Sequence, residues 1–241
     1  MTATLDPAEI AKFSALAAEW WNPKGPFGAL HRLNPVRLQY IRDLALTQFT
    51  RGIRRPLDGV ATLDLGCGGG LVSAPLARMG AKLTAIDASA ETIGAARAYA
   101  DQAGLEIDFQ TTSAEALVER GAQFELVTAL EIIEHVADVN AFLAAASALV
   151  APGGLLILST INRTPKARAL AITGAERILK WAPEGAHDYD KLVTPEEIRA
   201  GAPALQWDEP VGITYQPLGR GWSLSGDVDV NYMMAGRKGQ K

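Results

Sequence analysis

Leu63-Asp64-Leu65-Gly66-Cys67-Gly68-Gly69-Gly70 decides how the chain is read. Val60 to Leu65 is a short, largely apolar run of the kind that forms a buried parallel strand. Glycines then crowd positions 66 to 70, and Leu71 to Met79 follows with apolar residues at helical spacing. Strand, glycine turn, helix is the entrance of a nucleotide-binding α/β fold. Glycine reaches positive φ without strain, and its missing Cβ lets a ligand come close to the backbone.

Downstream, apolar runs and helical patterns alternate, which predicts a mainly parallel sheet with helices on both faces. Lys82 to Ile86 reads as the second strand, ending at Asp87, and Glu91 to Gln102 as its helix, with Gly104 as the stop. Ile107 to Thr111 and Phe124 to Leu130 read as the third and fourth strands. Asp138 to Val150 is an alanine-rich helix ended by Pro152-Gly153-Gly154, and Leu155 to Ser159 is the fifth strand. After Ile161 the rhythm breaks. Residues 165–182 read as helical and basic. Gly212 to Arg237 reads as two β-runs around Gly219-Arg220-Gly221, an antiparallel hairpin on the sheet edge.

Upstream, Asp6-Pro7-Ala8-Glu9 is a helix start, with Asp6 as N-cap, Pro7 at N1 and Glu9 placed to close a capping box. Ile10, Phe13, Ala17 and Trp20 follow at helical spacing, a stripe best explained as core packing. Asn22-Pro23-Lys24-Gly25-Pro26 ends that helix. Asn34-Pro35 reads as the start of another, with Leu38, Ile41, Ala45 and Phe49 on one face and Arg37 on a different one. The whole of 1–241 is expected to form a single domain, with an N-terminal helical cap (1–52) and a basic helical insertion (163–190).

Composition narrows the function. A net charge of −4 argues against general nucleic-acid binding. Cys67 is the sole cysteine, so an intramolecular disulfide and a multi-cysteine zinc site are excluded. Neither a signal peptide nor a continuous membrane-spanning apolar run is visible, so a cytoplasmic compartment is the expectation.

The glycine turn gains meaning from Asp87. It lies about twenty residues on, at the end of the next strand, where a carboxylate can accept hydrogen bonds from ribose hydroxyls. A dinucleotide fingerprint would need Gly or Ala at position 71, which is Leu71, and no P-loop Lys-Ser/Thr follows the glycines. The compact Gly-x-Gly-x-Gly turn, with Pro152-Gly153-Gly154 before a later strand, resembles class I S-adenosylmethionine-dependent methyltransferases, a Rossmann-like α/β fold.

A second constellation, Glu131-Ile132-Ile133-Glu134-His135, follows the fourth strand at the rim of the same pocket. On a helical turn, Glu131 shares a face with Glu134 and with His135. Two carboxylates and an imidazole suit one divalent cation, Mg²⁺, Mn²⁺ or Zn²⁺, with Mg²⁺ the first expectation. Alternatively His135 is a general base, or the segment is a solvated loop.

Over its whole length the chain resembles the ubiquinone biosynthesis O-methyltransferase family. The resemblance is carried by Phe13 with Glu19-Trp20-Trp21, His31 to Leu38, Leu63 to Gly70, Glu131 to Val136, Ser159 to Arg163, Gly185-Ala186-His187-Asp188, and Asp229 to Met233. It implies S-adenosylmethionine as cofactor, held at Arg37, Gly66, Asp87 and Leu130, with the cap closing over it. It implies a metal-holding and catalytic role for Glu131, Glu134 and His135, with His135 or His187 as the base if no metal acts. The substrate implied is a polyprenylated catechol or demethylquinol intermediate of ubiquinone biosynthesis. Arg163, Lys166, Arg168, Arg177 and Lys180, interleaved with Leu170, Ile172, Ile178, Leu179 and Trp181, would dock the insertion on an anionic membrane surface. That puts the protein at the periphery of the inner membrane, in reach of a biosynthetic complex. The competing readings are another class I methyltransferase acting on a small phenol or carboxylate, and a non-catalytic cofactor-binding scaffold.

Overall fold

The computed structural model describes residues 4–170, 188–216 and 221–240. Its sheet is built from β1 (Ala61–Leu65), β2 (Lys82–Asp87), β3 (Asp108–Thr111), β4 (Phe124–Leu130), β5 (Val150–Ile161), β6 (Leu205–Trp207), β7 (Val211–Gln216), β8 (Gly221–Ser225) and β9 (Asn231–Lys238). Their order is β3-β2-β1-β4-β5-β9-β7-β8, with β6 also paired to β9. β1 to β5 are parallel, and β9, β7 and β8 extend the sheet antiparallel. The order reverses between β1 and β4, so a crevice opens at the carboxyl ends of those two strands.

Alternation along β4 assigns the two faces. Val127 and Ala129 join the core beneath α5 (Ala114–Glu119), α6 (Val139–Leu149) and α8 (Pro195–Gly201). Leu126 and Leu130 join the core beneath α2 (Gly28–Gln48) and α3 (Ser73–Arg78). Both faces of the strand are buried, which is why it reads as a continuous apolar run. Helix ends follow ordinary capping chemistry. Ser89 caps α4 (Ala90–Ala103) by accepting from Thr92 N, and Gly104 ends it in the left-handed region at φ 63°. Asp138 caps α6 through Ala141 N.

The sequence expectations need four corrections. The second cap helix begins at Gly28, and Pro35 lies inside it. Asn34 is no N-cap: it is buried, and its amide donates to the carbonyl of Leu71 at 2.7 Å. Pro152-Gly153-Gly154 does not separate α6 from β5. The strand pairs from Val150 onward, and the glycines sit in an irregularity where the register against β4 shifts. A Cβ on Gly154 would stand 2.9 Å from two backbone carbonyl oxygens. The tail carries the expected antiparallel hairpin, β7–β8, at the sheet edge, but the tail forms three strands and not two, with β9 lying between the hairpin and β5. In α1 (Pro7–Ala15) Asp6 accepts from Ala8 N and Glu9 N as expected, yet Glu9 closes no capping box. Of the basic insertion, residues 163–170, with one helical turn, α7 (Pro165–Ala167), and residues 188–190 are described. Ile172, Arg177, Ile178, Leu179, Lys180, Trp181 and His187 lie outside the described residues.

Candidate active site

A cavity of about 830 Å³ opens at the carboxyl ends of β1 and β4. Arg37, Gly66, Leu130, Glu131 and His135 all line it. Leu30 and Leu33 of α2, Ile213 and Tyr215 of β7, Trp222 of β8 and Leu170 complete a largely apolar wall. The sequence therefore identified residues that the fold brings to one place, although they come from three separate stretches of chain. Asp87 and Glu134 are not among the lining residues.

The glycine turn is locked from below. Asp64 is 2% exposed. It accepts from Ser73 Oγ at 2.6 Å and from Thr128 Oγ1 at 2.8 Å. Burial pushes its carboxyl up to about 6, against the pull of those two hydroxyls. Asp87 is pinned at the other side of the turn. It accepts from Gly68 N at 3.0 Å, Ser89 N at 2.9 Å and Thr92 Oγ1 at 3.1 Å. Burial raises its proton affinity, and the backbone donors of Ser89 and Gly68 oppose that.

Gly66 and Gly68 have φ of 66° and 52°, the left-handed region that a turn this tight requires. The space their missing Cβ atoms leave is taken by the protein's own side chains. A Cβ on Gly66 would fall 2.6 Å from Ile132 Cγ1. On Gly68 it would fall 2.0 Å from Trp20 Cζ2, and on Gly69 2.1 Å from Trp20 Cγ. The indole of Trp20 thus lies flat on the turn. Trp21 Nε1 donates to Gly69 O at 2.8 Å, and its ring stacks on Tyr99 of α4. Two tryptophans latch the cap to the turn. The apolar stripe did predict burial for Trp20, but its partner is the glycine turn together with Phe27 and Leu71.

Arg37 is 2% exposed. Nη2 donates to Leu30 O at 3.2 Å, and Nη1 stands 3.8 Å from Glu131 Oε1. Nε is buried and has no partner among the described residues. A buried donor left unmade costs about 1–3 kcal/mol, a cost that an acceptor entering the cavity would recover. Burial lowers the guanidinium's proton affinity, while Glu131, Asp64 and Glu134 sustain it. The open wall beside Gly66 and Cys67, the pinned turn and the orphaned Arg37 donor together fit a nucleoside sulfonium carrying a carboxylate.

The acidic constellation is arranged differently from the expectation. Glu131 sits at φ 53°, an uncommon region for a non-glycine residue, and accepts from Ser159 Oγ at 2.6 Å. Glu134 is 3% exposed and accepts from Thr160 Oγ1 at 2.9 Å, while its other oxygen is buried without a partner among the described residues. Burial first, and then the charge of Glu131, raise the Glu134 carboxyl above its ordinary range. His135 turns Nδ1 to Glu9 Oε2 at 2.9 Å. The segment forms a 3-10 turn over Ile133–His135, so the i, i+4 face of an α-helix is not built. No group of three His, Cys, Asp or Glu side chains among the described residues is placed to hold a metal ion. The proposed ligand set faces three different partners, and as arranged it does not fit a cation.

Sequence reasoning missed Asp64, Glu9 and Trp21 as site residues. A carboxylate inside an apolar strand was the available signal for Asp64. Glu9 gave none, because its capping-box spacing supplied a sufficient local explanation.

Among the described residues, the cations of the insertion are engaged. Arg163 pairs with Glu197. Lys166 pairs with Asp227 at 2.5 Å and Asp229 at 3.3 Å, and Arg168 lies over the Tyr189 ring. Leu170 and Tyr215, both in the cavity wall, are 55% and 44% exposed.

Fold and site define a class I S-adenosylmethionine-dependent methyltransferase. Residues 63–158 match the family described as Methyltransferase domain. The magnesium protoporphyrin IX methyltransferase of Synechocystis PCC 6803, solved with bound SAH, has a TM-score of 0.65 at 18% identity, over 95% of this chain and 94% of that one. The plantazolicin methyltransferase, also solved with SAH, scores 0.64 at 14% identity, over 97% and 98%. These two establish the fold. Sequence relatives go further. The ubiquinone biosynthesis O-methyltransferase of Brucella anthropi is 50% identical over 235 residues, 96% of this chain and 95% of the relative. That of Azorhizobium caulinodans is 47% identical over 239 residues, 98% and 94% of the two chains. The chain belongs to the ubiquinone biosynthesis O-methyltransferase family.

Proposed function

We propose that this chain methylates a phenolic oxygen of a polyprenylated catechol in ubiquinone biosynthesis. The observation that carries the reading is the shared cavity. Arg37, Gly66 and Leu130 stand at one end with Glu131 and His135, and Tyr215, Trp222 and Leu170 extend an apolar wall from the same space. Arg37, the Gly66 turn and Leu130 would hold the donor, with Asp87 beside them at the turn. When bound, S-adenosylmethionine supplies a methyl group on a positively charged sulfur, open to displacement by an oxygen nucleophile.

The chain's own contribution is positioning and proton removal. The apolar wall accepts the prenyl tail and fixes the aromatic head near Glu131 and His135. His135 takes the proton from the acceptor hydroxyl. The electron pair freed on that oxygen forms the new oxygen–carbon bond as the carbon–sulfur bond breaks, leaving a methoxy group and a thioether. Cap residues shut water out of the space. This route has no step through a divalent ion: Glu131 and Glu134 accept from the separate hydroxyls of Ser159 and Thr160, and His135 Nδ1 faces Glu9, so the three side chains do not converge on one point.

The same reading places the cavity mouth against a lipid surface. Among the described residues no helix is long and apolar enough to cross a membrane. Exposed Leu170 and Tyr215 supply an apolar rim through which a membrane-dissolved tail could enter. Peripheral docking on anionic lipid, within reach of other biosynthetic enzymes, follows from that rim more than from Lys166 and Arg168, whose charges are engaged within the chain.

The test is His135→Ala assayed on a short-chain prenyl catechol. Turnover should fall at least a hundredfold while SAH affinity stays within twofold. Undiminished turnover would remove His135 from the mechanism.

A further inference from the structure

We propose that Asn231, at the start of β9, is a specificity-determining residue for the acceptor: its side-chain amide takes a hydrogen bond from the ring hydroxyl that is not methylated, so the site selects a ring with two adjacent hydroxyls. The inference rests on the reading of the acceptor as a catechol. Asn231 lines the cavity and is 8% exposed. Asn34 and Asn162 are buried to the same degree, and both spend their amides on the fold, donating to Leu71 O at 2.7 Å and to Val228 O at 3.0 Å. The amide of Asn231 has no such partner among the described residues. Its surroundings give no packing reason for a polar group. Alternation along β9 sends Tyr232 and Met234 to one core and Met233 and Ala235 to the other, so Asn231 shares the face covered by α2. On that face it lies between Ile161 of β5 and Ile213 of β7, with Leu224 of β8 next in the row. One amide interrupts an apolar row.

The register places that amide within reach of the reacting end. Ser159, which donates to Glu131, precedes Ile161 by two residues on the same face of β5. Asn231 is therefore displaced about 7 Å along the strands and about 5 Å across them from the position that anchors Glu131. An aromatic ring seated beside Glu131 spans that gap. Lys166 and Asp227 also line the cavity, and they are paired with each other. An amide offers one acceptor oxygen and two donor hydrogens. A catechol carries two neighbouring oxygens: one loses its proton and takes the methyl, and the other keeps its hydrogen throughout. That spectator hydroxyl donates to Asn231 Oδ1. The contact fixes the rotation of the ring about its tail, and so decides which oxygen faces the methyl donor. An analogue without the hydroxyl leaves a buried amide bare, which is how a site rejects a substrate that lacks one polar group.

The experiment uses the full chain with Asn231→Leu, which nearly conserves volume, and Asn231→Ala. kcat/KM is measured on a short-chain prenyl catechol and on the prenyl monophenol that lacks the spectator hydroxyl. SAH affinity is read by calorimetry and folding by thermal unfolding. The ratio of the two substrates is the readout, because a structural fault lowers both alike and intrinsic reactivity cancels between parent and variant. The parent should favour the catechol, and both variants should reduce that preference at least about tenfold. SAH affinity should stay within about twofold, and Asn231→Leu should unfold no earlier than the parent, since no hydrogen bond within the described fold is lost. A parent that methylates both substrates alike, or variants that keep the parental preference, overturns the proposal for Asn231. Equal losses on both substrates with a lowered unfolding temperature assign the amide to the fold and overturn it as well. A parent that methylates neither substrate would instead defeat the catechol reading, and the proposal with it.

Discussion

Gly69→Ala should undock the cap from the cofactor turn. Gly69 is not in the left-handed region, so alanine carries no backbone penalty there and the substitution isolates a steric effect. The new Cβ would stand 2.1 Å from Trp20 Cγ, 2.3 Å from Cδ1 and 2.6 Å from Cβ. These atoms are the rigid root of the side chain, so rotation cannot clear them and the indole must leave. Trp20 is 7% exposed. A tryptophan buries about 150–250 Å², worth about 4–6 kcal/mol at ~25 cal/mol per Å² as an upper figure. Trp20→Ala should lose about 3–5 kcal/mol, the range for large-to-small changes at aromatic core positions. Gly69→Ala should lose a similar amount, because it forfeits the same contact. The two losses must then overlap: adding Gly69→Ala to Trp20→Ala should cost clearly less than it does in the parent, since only the 2.6 Å approach to Cβ remains of the clash, whereas independent sites add within ~0.5 kcal/mol. Denaturant unfolding of the four proteins measures this, and limited proteolysis within the first 27 residues reports the cap directly. Additive penalties, or a Gly69→Ala protein whose cap resists protease like the parent, would refute the seat assigned to Trp20.

Asp64 binds its proton more tightly in the folded chain, to about 6 against 3.8. Between those values the folded state holds a proton that the unfolded state has released, so stability falls as pH rises through that window. Asp64→Asn removes the effect. Its unfolding free energy relative to the parent should climb by about 3 kcal/mol from about pH 4 to about pH 7, and a flat difference would contradict the burial argument. Arg37→Met should weaken SAH binding about 10- to 150-fold, the loss of a charged hydrogen bond of about 1.5–3 kcal/mol, as read by calorimetry; unchanged affinity would remove Arg37 from the donor site. Leu170→Asp with Tyr215→Asp should weaken sedimentation with anionic vesicles and raise KM for a long-tailed substrate. kcat on a short-chain analogue should hold, and unaltered vesicle binding would count against the apolar rim.

The parallel half of the fold was legible because its strands are buried on both faces and its helices carry local caps. Phe124 to Leu130 matches β4 residue for residue. Legibility failed where a tertiary partner overrode a local signal. Asn34-Pro35 has the form of a helix start, but Asn34 bonds to Leu71 across the molecule, and the helix is held by packing from Gly28 onward. Pro152-Gly153-Gly154 looks like a break, yet the neighbouring strand accommodates it as an irregularity. At the site, Gly66, Glu131 and His135 stood out because glycines, carboxylates and an imidazole are conspicuous at strand ends, whereas Arg37, inside α2, and Leu130 were carried by the family resemblance alone. The direction each side chain takes was not legible. Spacing put Glu131, Glu134 and His135 on one helical face, whereas a 3-10 turn and the hydroxyls of Ser159 and Thr160 send them apart.

One measurement bears on the central claim most directly. The purified chain is given S-adenosylmethionine carrying a ¹³C methyl and a short-chain prenyl catechol, and the product is read by mass spectrometry and NMR. The account predicts one labelled carbon per turnover, found as a methoxy group on the ring. Binding of donor and acceptor without transfer, or label appearing on a ring carbon, would contradict it.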